Sequence, residues 1–80
     1  EVDFVLRKDD QCIAIEAKAT TKVHDKLLIG LRAIDGLKGL RRRCVVYLGE
    51  AQMRSKDGID ILPVPMFLDE ISTGNIWKTR

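Results

Sequence analysis

Long apolar runs are missing from this 80-residue sequence, and with them the roughly 20-residue stretch that a membrane helix needs. No basic-then-apolar leader opens the chain, so nothing in it points to secretion. Cysteine is scarce: Cys12 and Cys44 make neither a disulfide framework nor a metal-spaced cluster. Both lie in apolar, strand-like runs, and the expectation is a pair of buried thiols in a reducing cytoplasm. His24 is the sole histidine; in a polar loop it is expected to be a solvated side chain rather than a base or a ligand. No G-x-x-x-x-G-K-[ST] loop occurs, so these residues hold no nucleotide-phosphate cradle of their own. Repeats, linkers and low-complexity tracts are absent too. The net charge of +2 is compatible with nucleic acid but far short of the strongly basic balance that would argue for it alone.

What is present suits a small soluble domain with a modest core. Apolar residues make up 45% and charged residues 32%, ordinary values for a globular chain. The sequence opens on Glu1, and its first residues already read as a strand, so it is expected to be a piece of something longer.

Glu1-Val2-Asp3-Phe4-Val5-Leu6-Arg7 alternates with a period of two, as does Cys12-Ile13-Ala14-Ile15-Glu16-Ala17-Lys18. The polar link Lys8 to Gln11 is short enough to close an antiparallel hairpin. With Asp9 and Asp10 as the loop residues, paired positions sum to nineteen: Arg7 faces Cys12, Val5 faces Ala14, and Asp3 faces Glu16. One side then carries Val2, Phe4, Leu6, Ile13, Ile15 and Ala17. The other carries Glu1, Asp3, Val5, Arg7, Cys12, Ala14, Glu16 and Lys18, and is expected to face away from the packed interior. A slip of one residue would put the apolar set into water, which defends this register.

Directly opposed residues on a sheet face have Cβ atoms about 4.5–5.5 Å apart, so Asp3 and Glu16 are expected as neighbours with Lys18 beside them. Two opposed carboxylates repel. Lys18 offsets part of that charge, and a hard divalent ion, which favours carboxylate oxygen and water, would offset more. From spacing alone the simpler reading is a solvated hairpin face, with Lys18 in a surface ion pair worth little.

Downstream, Asp25 or a nearby Thr is expected to cap a helix whose Leu27, Leu28, Leu31 and Ile34 recur at helical spacing, with Leu37 or Leu40 later, and face the sheet. Gly36 and Gly39 should end it near Lys38. Arg41-Arg42-Arg43 leads into Cys44–Leu48, an apolar run typical of a covered strand. The strand–helix–strand order implies a crossover to a parallel strand. Residues 50–58 read as a polar loop, 59–62 as a short last strand, and 65–72 as a helix on Phe67, Leu68 and Ile71. The tail beyond is expected to fray, with Trp77 docking on a partner or a further segment.

Taken in order, the residues resemble the D…(D/E)-x-K signature of the PD-(D/E)XK, or restriction-endonuclease-like, nuclease superfamily. More narrowly they resemble the C-terminal domain of a family of prokaryotic AAA+ ATPases of unknown function. There an E-V-D-F strand is followed by an I-E-V-K-like strand, a helix containing G-L-R, a V-V-Y-L-G strand and an I-x-x-L-P-V-x-x-F-L ending. The matching residues here are Glu1 to Phe4, Ile15 to Lys18, Gly30-Leu31-Arg32, Val45 to Gly49 and Ile59 to Leu68. Ala17 stands where Val is more usual.

The resemblance implies an α/β fold with a restriction-endonuclease-like core: an antiparallel hairpin, a helix crossover to a parallel strand, a short last strand and a C-terminal helix. Residues 1–80 would form one partial nuclease-fold domain, with its N-terminal helix and the ATPase part lying upstream. It also implies Asp3 and Glu16 as ligands to Mg²⁺ or Mn²⁺, the carbonyl of Ala17 as a further ligand, and Lys18 as the group that orients water and stabilises charge on phosphate. A further acidic ligand often comes from a helix upstream of the first strand. Two functions follow: metal-dependent phosphodiester hydrolysis on nucleic acid, or an inactive accessory module of the ATPase that contacts the ATPase domain in cis, a partner protein or nucleic acid. A homodimer through the sheet edge or the last helix is a third arrangement.

Other groups have two readings each. The Arg41 to Arg43 run is read either as a phosphate grip or as cations complementing a helix C-terminus. Thr20, Thr21 and Lys22 are read as phosphate contacts or plain loop polarity, and Trp77 as a base-stacking group or an interface residue. Tyr47 and Phe67 are assigned to packing.

Overall fold

A computed structural model describes residues 2–78. Among these residues five strands form one sheet, and it begins with the hairpin: β1 (Phe4–Lys8) pairs antiparallel with β2 (Gln11–Lys18). The register is Phe4↔Ile15, Val5↔Ala14, Leu6↔Ile13, Arg7↔Cys12 and Lys8↔Gln11, the expected sum of nineteen. Asp9 makes the reversal with a φ of 57°, a left-handed conformation that Asp tolerates better than most residues.

The chain leaves β2 through a polar loop, makes a 3₁₀ turn at Asp25–Leu28, and continues as helix α1 (Ile29–Ala33). Strand β3 (Leu40–Tyr47) lies parallel to β2, and β5 (Asp60–Pro63) lies parallel to β3 on its far side. Between them, the two-residue β4 (Met53–Arg54) pairs antiparallel with β5. Helix α2 (Val64–Thr73) and a 3₁₀ turn (Asn75–Trp77) complete the order, and the sheet runs β1-β2-β3-β5-β4. The fold is therefore mixed α/β, with the crossover to a parallel strand that the spacing predicts.

Apolar side chains are buried on both faces of the sheet. On one face Ile13, Ile15, Cys44, Val46 and Leu62 pack with Phe67 of α2 and with Ile76. On the other, Ala14, Val45, Tyr47 and Ile61 pack with Leu28 and Leu31. Fully burying a side chain such as Leu31 or Ile13 stabilises the fold by about 1.5–3 kcal/mol. Helix α1 thus lies over the face of β2 expected to stay away from the interior. That expectation is corrected: Glu16 is only 3% exposed, whereas Phe4, expected on the apolar side, is 43% exposed because β1 is the sheet edge.

Other boundaries shift for local reasons. The first helix is one turn with a 3₁₀ lead-in, and no side chain caps it; Gly30, Asp35 and Gly36 all disfavour propagation. Leu28 and Leu31 reach the core as expected, but Leu37 is exposed. Strand β3 starts four residues earlier than the apolar run, taking in the arginines. Residues 50–58 are not all loop, since β4 lies within them. The last helix buries Phe67 and Glu70, leaving Leu68 and Ile71 outside. No fray is found at Asn75–Trp77, a 3₁₀ turn with Ile76 buried, and residues 79 and 80, like Glu1, lie outside the described residues.

Candidate functional site

The end of the hairpin away from its turn holds the expected site residues, but the expected facing pair is corrected: Asp3↔Glu16 is not a rung of the ladder. The strand ladder stops at Phe4↔Ile15, and Asp3 takes over its role in another way. The Asp3 N–H donates to the Ile15 carbonyl at 3.1 Å, while its carboxylate Oδ2 accepts the Ala17 N–H at 2.7 Å. A main-chain N–H lies in the plane of the sheet, so the Asp3 side chain turns into that plane and acts as the last rung of the hairpin. Ala17 is the residue between Glu16 and Lys18. Within a strand the N–H and C=O of one residue face the same neighbour, so the Ala17 carbonyl and the Asp3 carboxylate share one strand edge.

Glu16 and Lys18, two residues apart, fall on one face of β2 and close an ion pair, Nζ to Oε2, at 2.8 Å. The partners differ in environment: the Glu16 side chain is 3% exposed and that of Lys18 is 32%. Glu16 lies level with Val45 of β3 and Lys18 level with Tyr47, which places the pair on the face that α1 covers. Asp3, Glu16 and Lys18 together carry one net negative charge. Among the described residues no group of three or more His, Cys, Asp and Glu side chains could hold a metal ion, so any cation here would rest on two carboxylates, a carbonyl and water.

The same end of the sheet opens into a cleft of ≈ 610 Å³, lined by Thr21, Lys22 and Val23 after β2 and by Tyr47, Leu48 and Met53 on the other side. In open α/β sheets, ligands bind beyond the carboxyl ends of parallel strands, and this cleft lies beyond the ends of β2 and β3. Sequence reasoning singled out Thr21 and Lys22 but not the Leu48 and Met53 wall, whose exposed apolar side chains become neighbours only through the β3–β5 crossover. Thr20 is occupied locally: its hydroxyl donates to the Lys22 carbonyl at 3.0 Å and accepts the Lys22 N–H at 3.2 Å.

The arginine run lies in β3 and not at a helix end, which corrects the helix-terminus reading; Arg42 and Arg43 are buried away from any phosphate, whereas Arg41 is exposed. A register shift at Cys12/Ile13 skips Arg41 in the ladder, a bulge that directs Arg41 and Arg42 toward the α2 side. Arg41 donates to the Trp77 carbonyl at 2.8 Å. Buried Arg42 donates to Asp60 at 2.6 Å, to Glu70 at 2.7 Å and to the Ile76 carbonyl at 3.1 Å. Arg43, on the opposite side, donates to the carbonyls of Leu31 and Asp57. Two of the three arginines are thus buried fasteners between layers.

Electrostatics follow this geometry. Burial lowers the basicity of Arg42, but the hydrogen bonds it donates to Glu70 and Asp60 outweigh that and raise its pKa. Burial pushes the Asp60 carboxyl up, yet hydrogen bonds from Arg54 and Arg42 hold it below the usual carboxylate range. Asp57, bonded by the Ser55 hydroxyl and the Arg32 guanidinium, is pulled down to about 2. Asp60 and Glu70 went unremarked in the sequence; their signal is a charge set among apolar neighbours, Ile59-Asp60-Ile61 and Phe67 to Ile71.

The remaining candidates fall as follows. His24 is exposed at the start of the 3₁₀ turn. Tyr47 and Phe67 are buried packing residues, and both cysteines are buried and outside any disulfide. Trp77 is half-buried against the α2-side core, with the Lys8 ammonium 6.0 Å from its ring centre, so it docks on its own domain. No described helix is long and apolar enough to cross a membrane. Neither the curated proteins nor the solved structures contain a match to the chain. A family model does: residues 1–67 match the domain of unknown function DUF4143, and the chain belongs to that family.

Proposed function

We propose that this chain is the core of a PD-(D/E)XK-type nuclease domain attached to an AAA+ ATPase, and that its hairpin end hydrolyses phosphodiester bonds in nucleic acid with Mg²⁺ or Mn²⁺. The observation that carries the reading is the convergence of Asp3, Ala17, Glu16 and Lys18 through a 2.7 Å hydrogen bond and a 2.8 Å ion pair. The hairpin, crossover and parallel strand follow the order that the resemblance implies. The ATPase attachment draws on the family, which is found in AAA-ATPase-associated proteins.

Two carboxylates and one carbonyl are the sparse donor set that Mg²⁺ accepts, since it usually keeps several waters. Asp3 and Glu16 would hold the ion with the Ala17 carbonyl; when bound, it lowers the pKa of water and polarises the phosphoryl oxygen. The net charge of −1 on the three side chains attracts a dication. Lys18, on the more exposed end of its pair, supplies positive charge where the transition state accumulates negative charge on oxygen. The cleft beyond β2 and β3 would receive the substrate, with Lys22 at its wall for a phosphate.

The test is a pair of measurements on the same proteins. Mg²⁺ or Mn²⁺ should raise the melting temperature of wild type but not of Asp3→Asn or Glu16→Gln, through ligand linkage. Asp3→Asn keeps an oxygen for the Ala17 N–H, which limits the change to charge. Cleavage of labelled DNA and RNA by the full-length protein should then depend on metal and be lost in Lys18→Ala. Equal melting shifts in all three proteins, with no cleavage, would sink the nuclease reading. A second reading would remain, in which the domain is an inactive accessory module of the ATPase. The near-complete burial of Glu16 favours that alternative, because a carboxylate held by its own lysine also serves as a structural ion pair.

A further inference from the structure

The two sheet edges differ. β4 offers two residues, too few for a ladder, whereas β1 offers five, Phe4–Lys8. Because Lys8↔Gln11 closes a two-residue turn, the hydrogen-bonded pairs of the hairpin alternate from there. The N–H and C=O groups of Phe4, Leu6 and Lys8 therefore face β2, and those of Val5 and Arg7 face outward. Along this edge the order is acid, three apolar residues, base: Asp3, then Phe4-Val5-Leu6, then Arg7 and Lys8. Phe4 and Val5, which point to opposite faces of the sheet, are each 43% exposed. An unprotected edge of this kind is a template for another strand.

We infer that β1 pairs antiparallel with β1 of a second copy, about a two-fold axis at Val5, and so joins two five-stranded sheets into one. This register sets Val5 against the partner's Val5, Phe4 against the partner's Leu6, and Asp3 against the partner's Arg7. An acid-to-base polarity along a strand is self-complementary only when the second strand runs the other way, so every unlike-charge contact occurs twice. A register two residues nearer the turn sets Val5 against the partner's Arg7 and gathers four cations around the axis with no acid opposite them. The Asp3 N–H and one oxygen of its carboxylate are turned to β2, so Asp3 donates no bond to the joined ladder and meets the partner subunit's Arg7 through its other carboxylate oxygen. The pairing does not depend on nuclease chemistry: association state and the metal-dependent melting shift can fail separately.

Sedimentation velocity on the chain decides it, at about 100 µM, a concentration suited to an interface at the small end of the size range. Wild type should sediment as a dimer. Val5→Pro removes an outward N–H and leaves the ladder to β2 intact, a substitution that edge strands tolerate; it should be monomeric with an unchanged circular dichroism spectrum. Arg7→Glu sets like charges against each other twice and should weaken the dimer at least tenfold without loss of fold. A monomeric wild type, a Val5→Pro protein that stays dimeric, or an Arg7→Glu protein with unaltered association would each overturn the proposal.

Discussion

Replacing Arg42 with Met tests whether the buried charge cluster fastens α2 to the sheet. The Arg42 side chain is 7% exposed, and those of its partners Asp60 and Glu70 are 3% and 5%. Removing one member of a buried pair costs about 3–5 kcal/mol, because the other charge is left without compensation in a poor dielectric. A domain of this length has a total stability on the order of 4–12 kcal/mol, so the loss is a large share of the whole. Asp60 keeps the Arg54 guanidinium at 2.8 Å, so part of its own compensation survives the substitution. In wild type the lowered folded pKa of Asp60, held down by its hydrogen bonds with Arg54 and Arg42, contributes stability above the unfolded value that is lost as acid protonates it. Arg42→Met removes one of those two partners, so its cost is full near neutral pH and shrinks in acid. Urea unfolding followed by circular dichroism, at neutral pH and near pH 3, below the unfolded Asp pKa of about 3.9, reads both effects. The expected outcome is a loss of at least about 3 kcal/mol at neutral pH, smaller in acid, and partly recovered in Arg42→Met/Glu70→Leu. A loss under about 1 kcal/mol, the level of an exposed pair, or one that is the same at both pH values, would refute the reasoning.

Two further predictions address the loops. Gly39 has a φ of 81° and its carbonyl accepts the Cys12 N–H at 2.8 Å, while a Cβ there would strike the Asp10 carbonyl. Gly39→Ala should therefore cost about 2 kcal/mol, of which roughly 1–2 is the left-handed penalty alone, and lower Tm by about 10 °C; an unchanged Tm would contradict it. Asp57, at about 2 in the folded protein against an ordinary 3.8, contributes stability present above the unfolded pKa and lost as pH falls toward 2. Carboxyl titration followed by NMR should give a midpoint near that value, moved upward in Ser55→Ala; a midpoint near 3.8 in wild type would disprove the Ser55 and Arg32 hydrogen bonds.

Much of the hairpin was legible because its determinants are local. Alternation specifies which residues share a face, and a two-residue link leaves one register that keeps both apolar sets together. The order hairpin, helix, parallel strand, last strand and helix was legible for similar reasons, since each element carries its own period. The arginine run was not. Three consecutive cations look like a surface feature until Asp60 and Glu70, 18 and 28 residues from Arg42, arrive to neutralise them. Nor was the short first helix, whose apolar spacing continues to Leu37 although its glycines stop the backbone after Ala33.

Sequence alone determined that Glu16 and Lys18 would share one face of β2 at the hairpin end that also carries Asp3, because pairing and alternation within a strand ladder follow from chain geometry over a few residues. Tertiary structure alone decided that Glu16 would be buried, that Asp3 would bond to the Ala17 backbone, and that Arg42 would become a fastener. Burial depends on what the rest of the chain lays over a face, and a charge changes meaning when water is replaced by a distant partner.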